Sequence, residues 1–314
     1  MQTSFIGVDV SKSQLVISVD DQPPLSVAND MAHITHWLAA MPRDCCIAME
    51  STGRYHLLLA QLASQAGLVV YVLNARDVYF YAKALGARAK SDALDCAVIR
   101  RYVQEHYQSL YPWQPSTELQ QQLHALLRRR AQVSAHQAAI KQTLKDISLP
   151  GQQLASLMQS LKDLLEAMDR QVIDLIAKDD VMQQGCTRLQ TITGIGPQTG
   201  ALLTELLSRL HFTNSDALVA YSGLDPRAND SGTKRGRRRL SKRGPALLRR
   251  QMYLAAFAAS HSKALKPVYA HIRAKGFSTT ESLVILARKL LRVAFAIWRG
   301  QTAFNPEQLL PKVA

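Results

Sequence analysis

Four acidic residues in the first third of the chain have the type and spacing to bind a divalent metal ion: Asp9, Glu50, Asp92 and Asp95. Asp9 lies inside the apolar segment Phe5-Ile-Gly-Val-Asp-Val10, where a carboxylate is costly unless a metal or a cation pairs with it. Glu50 ends a second apolar segment, at the sheet edge where ligands gather in open α/β folds. Asp92 and Asp95 are three residues apart and therefore share one helix face.

Carboxylates that converge from separate segments suit the cleavage or transfer of phosphodiester strands. Mg²⁺ bound to carboxylates orients the scissile phosphate and offsets its developing negative charge, so we expect these four acids to hold one or two Mg²⁺ ions. Each acid also has a purely structural explanation. Asp92 is placed to cap its helix, and Asp95 to pair with Arg88 or Arg100. An aspartate in the first strand is also typical of ATPase folds. Those folds need a second glycine-rich loop to bind phosphates, and we find none in the sequence.

The positive charge of the chain is concentrated in one segment. Residues 1–110 hold nine Lys/Arg against ten Asp/Glu, whereas residues 227–250 hold ten Lys/Arg against one acid, Asp230. Glycines among these cations let the backbone approach a phosphate closely, so the segment favours a nucleic-acid backbone over the alternative of a solvated basic face. The residues expected to contact nucleic acid here are Lys234, Arg235, Arg237, Arg238, Arg239, Ser241, Lys242 and Arg243.

Two further patterns in the second half of the chain are candidates for DNA chemistry. Ser231 and Ser241 lie in or beside the basic segment, and either hydroxyl could attack a phosphate, although a serine next to glycine is more often a turn residue. Gly194 and Gly196, in Thr193-Gly-Ile-Gly-Pro197, resemble the turn of a helix-hairpin-helix, whose amides bind a DNA phosphate. A simple tight turn between packed helices explains the glycines equally well.

The elements that must position these residues are predicted in the order β-β-β-α-β-α-β-α over the first third of the chain. That order predicts an α/β fold with a mixed sheet, of which the RNase H-like (RuvC-like) arrangement is one member. After Pro115 we predict helices without strands. Apolar spacing over 119–144 and 154–175, broken at Leu149-Pro150-Gly151, predicts a hairpin or coiled coil of long helices that makes either dimer contacts or a bundle core. The predicted domains are 1–112 (RuvC-like), 113–182 (helical coiled coil) and 183–314 (mainly α, C-terminal).

Composition argues against other classes of protein. No apolar stretch approaches the roughly 20 residues of a membrane helix, and residues 1–10 do not resemble an export signal, so we expect a bacterial cytoplasmic, nucleoid-associated protein. The four cysteines lack metal-ligand spacing, which argues against a zinc site or a disulfide framework.

The motifs together resemble those of the transposases of the IS110 insertion-sequence family, relatives of the Piv DNA invertase. The resemblance spans nearly the whole chain. Its motifs are Gly-Val-Asp-Val-Ser-Lys, Met-Glu-Ser-Thr-Gly, Lys-Ser-Asp-Ala-Leu-Asp, Ile-Thr-Gly-Ile-Gly-Pro, Tyr-Ser-Gly-Leu-Asp-Pro, Ser-Gly-Thr-Lys and Leu-Ser-Lys-Arg-Gly-Pro.

The resemblance implies roles for individual residues. Asp9, Glu50, Asp92 and Asp95 match the family's metal-binding DEDD set, and Ser231 matches the serine that attacks DNA to form a covalent intermediate. Ser241 suits a phosphate contact better. The family also implies double-stranded donor and target DNA as substrates, and a non-coding bridge RNA that pairs with both.

Three alternatives concern the chemistry and the assembly. A metal-dependent RuvC-type junction resolvase would use the acids without a serine, and a nucleic-acid-binding scaffold would use the acids only structurally. A tyrosine recombinase fits less well, because no convincing tyrosine follows His271-Ile-Arg273. If acids and serine lie on separate domains, acids of one protomer could meet the serine of another in a dimer or tetramer.

Overall fold

The structure is a computed structural model that describes residues 4–20, 22–86, 92–145, 151–228, 230–231, 233, 236 and 238–310, without the side chains of residues 92 and 93. The chain divides into two compact units, residues 1–115 and 116–314. The predicted division at 112/113 lies close to this boundary, and the predicted division at 182/183 stays a prediction.

The first unit is built on a five-stranded mixed sheet. Its strands are β1 (Phe5–Val10), β2 (Gln14–Val19), β3 (Leu25–Ala28), β4 (Cys46–Glu50) and β5 (Val69–Leu73). The spatial order is β3-β2-β1-β4-β5. The first three strands form an antiparallel meander, and β4 and β5 then extend the sheet parallel to β1. The predicted mixed α/β fold, with three meandering strands and later crossovers, is confirmed.

Helices cover both faces of this sheet. They are α1 (Met31–Ala39), α2 (His56–Gln65), α3 (Ala75–Ala84) and α4 (Asp92–His106). On one face, alternate residues of β1 such as Ile6 and Val8 pack with Ile34 of α1 and Leu59 of α2. On the other face, residues of β4 and β5 pack with α3 and α4, through side chains that include Val78 and Ile99. The apolar residues alternate along the strands because a strand presents successive side chains to opposite faces.

Two long helices begin the second unit, α5 (Glu118–Thr143) and α6 (Gly151–Ile176). A capping box in which Thr117 and Gln120 bond reciprocally begins α5. The helices pack together, and Arg130 of α5 donates two hydrogen bonds to the Asp169 carboxylate of α6, at 2.8 and 2.9 Å. The buried residues Leu123 and Val172 belong to the same core as the helices that follow, so the base of this pair is part of the second unit's core.

The rest of the second unit is a helical bundle with one short hairpin. Its helices are α7 (Asp180–Gln190), α8 (Pro197–Arg209), α9 (Ser215–Ser222), α10 (Ala246–His261), α11 (Lys266–Ala274) and α12 (Thr279–Gly300). The prediction of helices without strands after Pro115 is wrong at one place, because β6 (Pro226–Arg227) and β7 (Arg239–Leu240) pair antiparallel. Two-residue strands are too short to show a period-two pattern in the sequence. Among the described helices, none is long and apolar enough to cross a membrane.

Candidate functional site

The first two acids lie side by side at one edge of the sheet. Strands β1 and β4 are parallel and in register through the pair Val8 and Met49, and each strand continues with an acid, Asp9 or Glu50. Because side chains alternate along a strand, equal register places both carboxylates on the same face. That face is the one covered by α4, and both acids are half-buried.

Helix α4 begins at the same edge of the sheet. It crosses β1 at backbone contact, since a Cβ atom on Gly7 would lie 2.2 Å from the carbonyl oxygen of Cys96 and 2.4 Å from the amide nitrogen of Arg100. The ring of Phe5, at the start of β1, lies 5.1 Å from the ring of Tyr107, just beyond the end of α4. The helix therefore runs antiparallel to β1, and its first turns lie at the end of β1 that carries Asp9.

The Cys96 thiol reports the electrostatics of this edge. Burial raises the pKa of Cys96, and the negative charges of Asp9 and Asp95 raise it further. The thiol therefore stays protonated at neutral pH, and its pKa responds to one carboxylate of β1 and to one of α4. The side chain of Asp92 lies outside the described part of the structure, although its backbone begins α4.

This edge presents oxygen ligands of the kind that Mg²⁺ prefers, from two strand ends and a helix start. Among the described side chains, which do not include that of Asp92, no three His, Cys, Asp or Glu residues stand close enough together to hold a metal ion. The structure thus places Asp9, Glu50 and Asp95 at one edge of the sheet, but their carboxylates do not surround a common position for an ion.

In the second unit, Ser231 lies in the loop that joins β6 to β7, with its side chain exposed. The neighbouring Asp230 carboxylate accepts hydrogen bonds from the backbone amide of Gly236, at 3.1 Å, and from the guanidinium of Arg238, at 2.8 Å. Asp230 thus ties the two sides of the loop together beside the serine. Arg239, Lys242 and Arg243 are exposed as well, whereas Lys234, Arg235 and Arg237 lie outside the described residues.

Ser241 has the opposite environment. It is 8% exposed and donates its hydroxyl proton to the Asp225 carboxylate in a short hydrogen bond, while its backbone amide donates to the Asp225 carbonyl at 3.0 Å. The next residue, Lys242, has a φ of +53° and donates its amide to the Gly223 carbonyl. Ser241 is therefore part of the base of the hairpin.

Several residues that hold this base were missed by sequence reasoning. A Cβ atom on Gly244 would lie 1.7 Å from the carbonyl oxygen of Tyr221, so only glycine fits there. The Arg249 guanidinium donates to the Ser222 carbonyl at 3.3 Å and, in a short hydrogen bond, to that of Gly244. The two sequence motifs around Tyr221 and Gly244 are thus packed against each other, a relation that only the fold reveals.

A buried ion pair lies behind the hairpin base. Glu205 of α8 is 1% exposed, and it accepts from Arg209 at 2.6 Å and lies 3.2 Å from the His124 Nδ1 atom. Burial raises the pKa of Glu205, but the hydrogen bond with His124 and the charge of Arg209 outweigh burial and hold this pKa below its usual value of 4.5. Arg209 also bonds the Tyr221 hydroxyl, whose own pKa is raised by burial.

The two glycines of the α7–α8 turn differ in their surroundings. Gly194 has a φ of +94°, and a Cβ atom there would lie 2.3 Å from the carbonyl oxygen of Ala255 in α10. Gly196 is exposed, precedes α8 as its N-cap, and has open space around its Cα atom. Packing of the turn explains Gly194, whereas Gly196 leaves backbone at a helix start accessible.

Comparison with known families matches both halves of the chain. The transposase model named DEDD_Tnp_IS110 matches residues 6–147, and the model described as "Transposase IS116/IS110/IS902 family" matches residues 186–270. Together they span more than two thirds of the chain, including both the acidic edge and the hairpin.

Individual relatives agree with these models. A pilin gene-inverting protein of Moraxella bovis is 25% identical over 97% of this chain and 98% of its own length. The transposase for insertion sequence element IS1328 of Yersinia enterocolitica is 28% identical over 79% of this chain and 81% of its own. An insertion element IS110 protein of Streptomyces coelicolor is 30% identical over 51% of this chain and 38% of its own length. The chain belongs to the IS116/IS110/IS902 family of transposases and is a DNA transposase/recombinase.

Proposed function

We propose that this transposase cuts and rejoins the donor and target DNA of an insertion sequence, using the carboxylates of Asp9, Glu50, Asp92 and Asp95 together with the Ser231 hydroxyl. The observation that carries the proposal is the meeting of Asp9, Glu50 and the first turns of α4 at one sheet edge. Three elements distant in sequence carry acids to one edge of the sheet, which a purely structural role for each acid does not require.

We assign the first unit to the RNase H-like class on its topology. The strand order β3-β2-β1-β4-β5, with an antiparallel meander followed by two parallel strands, supports this assignment, as do helices on both faces. The position of the acids supports it too, because ligands of open α/β sheets gather beyond the carboxyl ends of parallel strands.

The four carboxylates would hold Mg²⁺, which would neutralise charge on the scissile phosphate. Hard carboxylate oxygens fit this ion, and the Cys96 thiol, whose pKa is raised, stays protonated and does not compete as a ligand. The carboxylates also position the DNA strand, because the rigid contact between β1 and α4 fixes where they lie.

Ser231 is the nucleophile of the proposal. Its Oγ atom forms a bond to phosphorus while the bond from phosphorus to the leaving strand breaks, and the freed strand's oxygen takes up the proton that the serine releases. Reversal with a different strand rejoins the DNA. Exposure of Ser231 supports this role over Ser241, whose hydroxyl is buried and bonded to Asp225.

The exposed cations of the hairpin would contact DNA or RNA backbones, since Arg238, Arg239, Lys242 and Arg243 offer positive charge beside backbone amides. The resemblance to the IS110 family supports a bridge RNA as the source of sequence choice, with base pairing reading the DNA and protein holding the backbones. The acids and the serine belong to different compact units of the chain, and on that ground we also propose an oligomer in which acids of one protomer meet the serine of another.

The experiment is an adduct assay. Purified protein, RNA transcribed from the element's flanking region and end-matched DNA are incubated with Mg²⁺ and resolved on a denaturing gel. We expect a protein-DNA adduct that Ser231→Ala abolishes and Ser241→Ala retains. Metal-dependent cleavage with no adduct would contradict the proposal and would indicate a junction resolvase. Mixing Asp9→Ala with Ser231→Ala protein tests the shared site. The mixture is active only if the acids of one protomer act together with the serine of another.

A further inference from the structure

Helix α3 of the first unit carries two of its three aromatic side chains on its solvent-exposed face. The outer face of α3 consists of Arg76, Tyr79, Phe80 and Lys83, which follow the helical spacing i, i+3, i+4, i+7. Tyr79 is 53% exposed and Phe80 is 50% exposed. The opposite face packs on the sheet and α4 through Val78 and Tyr81, so folding does not require the outer aromatics.

A cation accompanies each exposed ring. The Arg76 guanidinium carbon lies 5.5 Å from the centre of the Phe80 ring, and the Lys83 Nζ atom lies 4.6 Å from the centre of the Tyr79 ring. The two rings meet edge to face at 5.4 Å. Alternating aromatic and cationic side chains on one surface are typical of sites where bases stack on rings while cations neutralise the phosphates.

This surface adjoins the acidic edge within the same unit. Glu50 pairs in register with Leu73, the last residue of β5, and the chain then enters α3 at the Asn74 cap. Arg76 lies in the first turn of α3 and Phe80 one turn further along. The surface thus starts three residues beyond the strand residue that pairs with Glu50, and α3 carries it away from the edge by only about 1.5 Å per residue.

We propose that Tyr79 and Phe80, flanked by Arg76 and Lys83, form a stacking platform for unpaired nucleobases of a strand at the acidic edge. The inference rests on the proposed function for its location but not for its test. The charge of Arg76 and Lys83 argues for a polyanion over an apolar protein partner, and the open rings argue for a single strand over a duplex, whose bases are already stacked.

The test measures binding by fluorescence anisotropy of the full chain to fluorescein-labelled dT20, rU20 and a dT20·dA20 duplex, with EDTA to prevent cleavage. The key variant is Tyr79→Leu/Phe80→Leu, which keeps an apolar helix surface and removes the π faces. We expect it to weaken single-strand binding about tenfold or more and duplex binding less than about twofold. The arm with the greater loss identifies DNA or RNA as the source of the bases.

Two controls separate stacking from other effects. The exchange Tyr79→Phe/Phe80→Tyr keeps both rings and should bind like wild type, and Tyr111→Ala removes another exposed tyrosine of the same unit and should change nothing. A strand carrying 5-iodouracil should crosslink under light to the peptide containing Tyr79 and Phe80, even where the basic hairpin supplies most of the affinity.

Unchanged single-strand binding together with no crosslink to that peptide would overturn the platform, as would equal losses on single strand and duplex. Failure of the proposed function would look different. An Asp9→Asn protein with full recombination activity would remove the catalytic role of the acids while leaving single-strand binding by α3 as it is.

Discussion

The acidic edge and the basic hairpin position their residues by different means. At the edge, regular elements position the residues: two parallel strands carry Asp9 and Glu50 at or next to their last residues, and a long helix begins beside them. In the hairpin, two-residue strands are held from below by Asp225, Gly244 and Arg249, while Ser231 is exposed in the loop. The comparison teaches that chemistry needing several fixed ligands is built on a sheet, whereas a single nucleophile is carried on a loop with an anchored base.

The largest expected effect is a loss of strand cleavage at the acidic edge with no loss of folding. Asp9→Asn should lower strand cleavage by about a thousandfold, because a metal-bound carboxylate contributes several kcal/mol to the transition state. Gel-based cleavage rates with saturating Mg²⁺ measure this, and circular dichroism should show an unchanged melting curve. Full cleavage by Asp9→Asn would assign the acid a structural role.

The packing of α4 against Gly7 of β1 should be nearly as sensitive to substitution. Gly7→Ala would place a Cβ atom 2.2 Å from a backbone oxygen of α4, so we expect a loss of about 3 kcal/mol in the free energy of unfolding. Gly151→Ala is the matched control, because no atom of the described residues lies within 4 Å of its Cβ position. Urea denaturation compares the two, and equal stability would mean that α4 moves freely on β1.

The stability that the buried pair of Glu205 and Arg209 provides should depend on pH. The pKa of Glu205 is lowered on folding, so its contribution to stability is complete at neutral pH and is lost as the pH falls through the folded pKa. Glu205→Gln leaves the cation of Arg209 buried without its charged partner and should cost about 3 kcal/mol at pH 7. The difference from wild type should shrink below about pH 4, and a constant difference from pH 7 to pH 3 would contradict it.

The two serines give the smallest and sharpest comparison. Ser241→Ala removes a donor to the half-buried Asp225 carboxylate and should cost about 1 to 2 kcal/mol of stability, whereas Ser231→Ala, at an exposed site, should cost less than about 0.5 kcal/mol. Thermal denaturation measures both. The order of effects on stability should thus be the reverse of their order in the adduct assay.

The sequence predicted the first unit better than the second. Periodicity predicted the three leading strands and the alternation of strands and helices that follows them, because a half-buried strand or helix repeats its apolar pattern over several residues. The same reasoning missed β6 and β7, because two-residue strands are too short to show a pattern. It also missed the outer face of α3, since spacing alone does not tell which side of a helix is exposed.

The candidate site follows the same division. A carboxylate inside an apolar strand marked Asp9, and the register between β1 and β4 then explains Glu50. Ser231 and Ser241 could not be separated by residue type, because burial and the bond to Asp225 exist only in the folded chain.

The backbone contact at Gly7 limits how far the acidic edge can change shape. Side chains can lean, but the spacing of β1 and α4 is set where backbone meets backbone and cannot widen cheaply. A residue with no side chain in this way acts as a rigid joint between the end of a strand and the start of a helix.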